Sequence, residues 1–130
     1  MARVAAEKLS RSMKIKLAKA REKALAEQFV SLCPRFGVPA PEREFRFALP
    51  EREWRVDFGW EKQCVALESE GGVWTQGRHT RGSGFIEDID KYNSLASKGW
   101  RLFRVVPSQL CDVSTFRMIA TALGVTMIEP

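Results

Sequence analysis

Apolar positions follow two periods along this chain. Between residues 4 and 32, Ala, Leu, Lys and Glu dominate with no Gly or Pro, and Leu25, Phe29 and Leu32 fall at i, i+4 and i+7. That spacing predicts a helix over 4–32 with an apolar face near its C-terminal end. Its first dozen residues are polar enough to fray. Pro34 and Gly37 stop the helix, and Pro39 and Pro41 make a stiff link.

The period then changes to two. In residues 43–49, Phe45, Phe47 and Leu49 alternate with Glu44, Arg46 and Ala48, which predicts a strand with one buried face. Residues 50–53 (PERE) read as a turn. In 54–60, Trp54, Val56, Phe58 and Trp60 are expected on one face and Arg55, Asp57 and Gly59 on the other. A turn at 61–63 leads to a third strand over 64–70, with Ala66, Glu68 and Glu70 sharing a face. Five of the fourteen residues in 71–84 are glycine, so this stretch reads as a loop of functional character. A helix follows from Phe85 to Lys98 with the stripe Phe85, Ile89, Tyr92 and Ala96, ended by Gly99. A fourth strand at 101–106, a short helix at 112–123 and a terminal VTMI complete the chain. The order α-β-β-β-α-β-α predicts an α/β fold, one mixed sheet flanked by helices.

A chain of 130 residues supports a single core, which makes this one domain. With 45% hydrophobic and 28% charged residues, disorder of the whole chain is not expected. No apolar run approaches the ~20 residues of a membrane span, and the N-terminus lacks the apolar stretch of a secretory signal. The net charge is +5. Residues 1–30 carry eight basic and three acidic residues, while 31–130 carry thirteen of each, so the excess is N-terminal. A basic segment such as this, with Lys14 and Lys16 within it, is either a polyanion-binding element or a solvated helix face. The cysteines Cys33, Cys64 and Cys111 are odd in number and widely spaced, and His79 is the single histidine. Reduced thiols in a cytosol fit better than a zinc site or a disulfide.

Asp57, Glu68 and Glu70 are the candidate chemistry. Neighbouring antiparallel strands lie about 4.8 Å apart, so the three carboxylates are expected to converge. Their repulsion is relieved by a hard divalent cation such as Mg²⁺, with Mn²⁺ as a substitute. The alternative is an amphipathic hairpin with its acids in water. The acids run directly into the basic glycine-rich loop. Carboxylates holding an ion beside arginines holding phosphate oxygens suit attack on a phosphodiester. Arg78 and Arg81 are therefore expected to contact phosphate, with Arg43, Lys14 and Lys16 counted among the nucleic-acid contacts. His79 is either a general acid or base, a phosphate ligand or a plain loop residue. Trp74 either stacks on a base or packs its loop onto the core. Trp54, Trp60 and Trp100 read as core.

These residues carry a resemblance. WRVDFGW followed by CVALESEGG resembles the core of the PD-(D/E)XK nuclease superfamily, with Asp57 matching the first acid, Glu68 the second, and ten residues between them. REFRF, GRHTRGSGF, DKYN and GWRLFRV extend it to roughly residues 25–107. They are similar to a branch of small phage and bacterial nucleases that includes very-short-patch repair endonucleases and Holliday-junction resolvases. The resemblance implies a restriction-endonuclease-like core at 25–107, with a basic helical extension at 1–24 and a C-terminal helix and tail at 108–130. It implies a Mg²⁺-dependent DNA endonuclease of the bacterial cytoplasm acting on double-stranded or branched DNA, and leaves a homodimer open.

Within that resemblance, Glu70 stands where the superfamily usually has Lys, as a metal ligand or as a base toward water. Lys62, Lys91 or His79 then takes the lysine's place, with Lys91 orienting water or the leaving group, or else pairing with Glu87 at i−4. Superfamily members often place a Glu on the first helix; Glu27 matches it, with Glu22 the competing position. The zinc ligands of the mismatch enzymes are absent. The alternatives are an inactive DNA-binding module of the same fold and an adaptor whose basic helix binds an acidic partner.

Overall fold

In the computed structural model, residues 8–71 and 82–130 are described. β1 (Glu42–Arg46), β2 (Arg55–Trp60) and β3 (Val65–Ser69) run antiparallel in sequence order, and β4 (Arg101–Val105) lies parallel to β3. Three helices accompany this mixed sheet: α1 (Arg11–Leu32), α2 (Gly82–Ser97) and α3 (Val113–Leu123). This is the α/β layout that the periodicity predicts.

The sheet separates two apolar clusters, as the alternation in β3 requires. Val65 and Leu67 belong to the larger cluster, with Phe29 of α1, Phe58 and Trp60 of β2, and Phe116 and Ile119 of α3. Phe29 is fully buried, 4.8 Å ring to ring from Phe58 and 5.0 Å from Phe116, against which it stacks. Ala66 belongs to the smaller cluster with Val56, Phe47 and Leu95 of α2, against which Phe45, Tyr92 and Trp100 pack. Gly59 is required here, because a Cβ at that position would meet Phe45 at 2.8 Å. Trp60 is core as expected, its indole N–H donating to Pro39 O at 2.7 Å. Trp54 and Trp100 are half-buried.

Several boundaries differ from the sequence expectation. α1 starts at Arg11, not residue 4; Ser10 caps it, its hydroxyl accepting from the Met13 N–H at 3.2 Å. Residues 11–24 of this helix are exposed along their whole length, and its core contacts begin at Leu25. β1 ends at Arg46: Phe47 and Ala48 are buried in the connection that follows, and Leu49 is 54% exposed. α2 starts at Gly82, three residues before Phe85.

Two face assignments also change. Trp54 and Val56 pack with the smaller cluster while Phe58 and Trp60 pack with the larger, so the strand changes face at Asp57. Glu44, between the paired residues Arg43 and Phe45 of the neighbouring strand, has a left-handed φ of 52°. That conformation is costly for a residue with a side chain and breaks the regular pleat. In α2 the expected stripe holds only at Tyr92, and Phe85, Ile89 and Ala96 are exposed. Phe85 and Ile89 are exposed at 53% and 43%, and the residues turned inward are Asp88, Lys91, Tyr92 and Leu95. Half-burying Asp88 and Lys91 while two large apolar residues stay exposed conflicts with burial preference, and such conflicts gather at functional sites.

Candidate active site

The site forms where β2 and β3 part. Their ladder ends at the pair Phe58 and Leu67, one residue after Asp57. Beyond it, Asp57 Oδ2 accepts the Ser69 N–H at 2.8 Å, so a carboxylate takes the place of the next ladder bond. On the other side, β3 keeps its pairing with β4 through Ser69, opposite Val105, and the Glu70 N–H donates to Val105 O at 2.7 Å.

Glu68 is only 6% exposed and is held by α2. Tyr92 donates its hydroxyl to Glu68 Oε1 at 2.5 Å, and Lys91 Nζ lies 3.4 Å from Oε2. The Arg104 guanidinium lies over the Tyr92 ring at 4.3 Å and pairs with Glu70 Oε1 at 3.5 Å. Burial, together with the Glu68 carboxylate beside it, pushes the Tyr92 hydroxyl far above its usual range, so it stays a donor. Glu68 thus has an oriented proton donor on one oxygen and an ammonium on the other.

Asp57 lines two cavities. One, of about 360 Å³, lies between α1 and the hairpin and includes Lys19, Glu22, Lys23, Arg43 and Ser69. The other, of about 330 Å³, lies toward α2 and includes Glu44, Glu53, Glu68, Glu87 and Lys91. Burial pushes the Asp57 carboxyl up to about 6; the Ser69 N–H and Lys91 oppose the rise, and the charges of Glu68 and Glu44 add to it.

The candidate residues divide accordingly. Asp57, Glu68 and Lys91 come together. Lys91 pairs with Glu68 on the strand, a partner the i−4 alternative does not supply. Glu70 stands just past β3 against Arg104, and among the described residues no three His, Cys, Asp or Glu side chains form a metal-binding group. Glu27 pairs with Lys23, 3.8 Å distant, is 58% exposed at its side chain, and is not among the residues lining either cavity. The helix acid that reaches the cavity is Glu22, one turn and a half earlier; its Oε1 would be 3.4 Å from a Cβ placed on Gly71. Arg43 lines the first cavity, and Lys14 and Lys16 sit on the exposed length of α1. Trp74, Arg78, His79 and Arg81 lie outside the described residues.

Sequence reasoning missed three participants. Tyr92 reads as one more aromatic in an apolar stripe, and only its place next to Lys91 in DKYN hints at another use. Arg104 reads as the exposed side of a strand. Glu44 gives no sequence signal for its left-handed backbone.

The donor set suits a hard divalent cation held by two carboxylates rather than three. Asp57 and Glu68 line the same cavity, and the Glu68 charge adds to the cost of ionising Asp57; a cation between such groups offsets that cost. The chain matches no protein-family model, and no curated protein and no solved structure shows significant similarity to it.

Proposed function

We propose that the protein is a metal-dependent endonuclease that hydrolyses phosphodiester bonds in double-stranded or branched DNA, of the PD-(D/E)XK type that its sequence resembles. One observation carries this reading: Asp57 and Glu68 share a cavity at the fork of β2 and β3, with Lys91 set against Glu68. Asp57 and Glu68 would hold Mg²⁺ or Mn²⁺. When bound, the ion supplies a Lewis acid for a phosphate oxygen and lowers the pKa of a water. Tyr92 fixes the Glu68 carboxylate through its hydroxyl, which limits the rotamers that Glu68 can sample. Lys91 takes the place of the lysine that Glu70 lacks, orienting the attacking water or protonating the leaving oxygen. Glu70 is assigned to Arg104, whose guanidinium it holds beside Tyr92.

A second reading, an inactive DNA-binding module of the same fold, draws support from the absence of a three-acid group among the described residues. Incubating the protein with supercoiled plasmid and with a four-way DNA junction separates the two. Cleavage with Mg²⁺ or Mn²⁺ that EDTA abolishes supports the enzyme. Binding of both substrates with no cleavage under either metal supports the module.

A further inference from the structure

The exposed half of α1 carries six cations, Arg11, Lys14, Lys16, Lys19, Arg21 and Lys23, with Glu22 its single acid between Arg11 and Lys23. At 100° per residue these cations fall into two stripes. Lys16, Lys19 and Lys23 follow i, i+3 and i+7 along one face, while Arg11, Lys14 and Arg21 lie on the opposite face. Only the first stripe leads to the site: Lys19 and Lys23 line the cavity that Asp57 and Ser69 close, and Arg43 of β1 faces that cavity too. The cavity's carboxylates are Glu22, Glu44 and Asp57. Glu44 is paired with Arg55 at 3.7 Å, and Lys23 has the exposed partner Glu27 at 3.8 Å. Across Asp57, the described lining of the second cavity holds Glu44, Glu53, Glu68, Glu87 and Asp88 beside Arg55 and Lys91, and so is richer in carboxylates than the first.

We propose that Lys16, Lys19 and Lys23, together with Arg43, form a track for one nucleic-acid backbone that delivers a phosphate to Asp57 from the α1 side. The acidic cavity on the other side is left to the cation. This rests on the reading of Asp57 and Glu68 as the hydrolytic centre. Lys16 to Lys23 spans about 10 Å of helix axis, the axial rise of about three base pairs. Self-pairing of two α1 arms is disfavoured, because it would bring two dense positive charges together, whereas a polyanion neutralises them.

The test compares two variants of the full chain that remove the same charge: Lys16→Gln/Lys19→Gln/Lys23→Gln and Arg11→Gln/Lys14→Gln/Arg21→Gln. All six side chains are on exposed positions, so both variants fold. Affinity for a 30-base-pair duplex is measured in EDTA across a series of salt concentrations, and binding to phosphatidylserine vesicles is measured alongside. Each lost phosphate contact lowers the slope of log affinity against log salt by about 0.9. The track predicts a loss of about 2 to 3 in slope for the first variant and less than 1 for the second. Equal losses in both overturn it and leave only a diffuse charge effect. Vesicle binding without duplex binding overturns it in favour of a membrane surface. Cleavage by the wild type in Mg²⁺ is scored separately. Unequal slopes in a protein that never cuts keep the track and remove the hydrolytic centre.

Discussion

Lys91 Nζ lies 3.4 Å from Glu68 Oε2, joining the middle of α2 to the end of β3 across 23 positions of sequence. The side chains are 16% and 8% exposed, so the pair is largely out of water. Removing one member of such a pair leaves the other charge uncompensated, which costs more than the pair contributes. Lys91→Gln is therefore expected to destabilise the fold by about 2 kcal/mol, somewhat below the range for fully buried pairs. Under the proposed function it also slows cleavage by at least about a hundredfold. Urea denaturation and single-turnover rates check both. Added Mg²⁺ should recover part of the lost stability, since a cation at Glu68 substitutes for the missing ammonium.

Asp57 gives a pH dependence of defined sign. Its carboxyl is raised from 3.8 to about 6 by burial, so the folded state holds a proton that the unfolded state has released between those values. Stability is therefore greatest below about 4 on this account and falls as pH rises through about 6. The loss is at most about 3 kcal/mol, from about 1.4 kcal/mol for each pH unit. Asp57→Asn keeps an acceptor for the Ser69 N–H and removes the charge. It should be more stable than the wild type at pH 8 and inactive in cleavage, and its stability should lack this fall. Thermal melts from pH 4 to 8 in EDTA measure the difference.

Tyr92→Phe deletes the hydroxyl that fixes Glu68 while leaving the ring under Arg104. A hydrogen bond to a charged acceptor contributes about 1.5–3 kcal/mol, and the variant should lose stability of that order. A freed Glu68 carboxylate should also raise the Mg²⁺ concentration needed for half-maximal cleavage, which a metal titration of the rate reads directly.

Glu70→Gln separates two roles for this residue. Its pair with Arg104 is partly solvated, so the stability change should stay below about 1 kcal/mol. If Glu70 serves Arg104, metal affinity changes by less than about threefold; if it is a metal ligand, affinity falls at least tenfold. A Mn²⁺ titration of the variant decides between them.

The order of elements was legible because the periods are clean: Phe29 at helical spacing and Phe58 and Trp60 at strand spacing all reach the larger core. The approach of Asp57 and Glu68 to one cavity was legible too, since alternation puts each on a polar face of neighbouring antiparallel strands. The face of α2 was not. Phe85 and Ile89 made the stronger apolar stripe, yet the inward positions went to Asp88 and to Lys91; the partner of Lys91 on the sheet is Glu68, a carboxylate that no local pattern foretells. The choice of Glu22 over Glu27 depends on the azimuth of α1 against Gly71, and helix azimuth is fixed by packing at Leu25 and Phe29. The change of face at Asp57 accompanies the left-handed backbone of Glu44, for which a glutamate gives no warning.

Under the proposed function, Asp57 and Glu68 hold one divalent cation. Calorimetric titration of Mn²⁺ into the wild type, Asp57→Asn and Glu68→Gln at pH 7.5 tests it without depending on a DNA substrate. The account predicts one site per chain in the wild type and none in either variant, with folding verified by circular dichroism. Equal binding heats in all three folded proteins, or no binding in any, would contradict it.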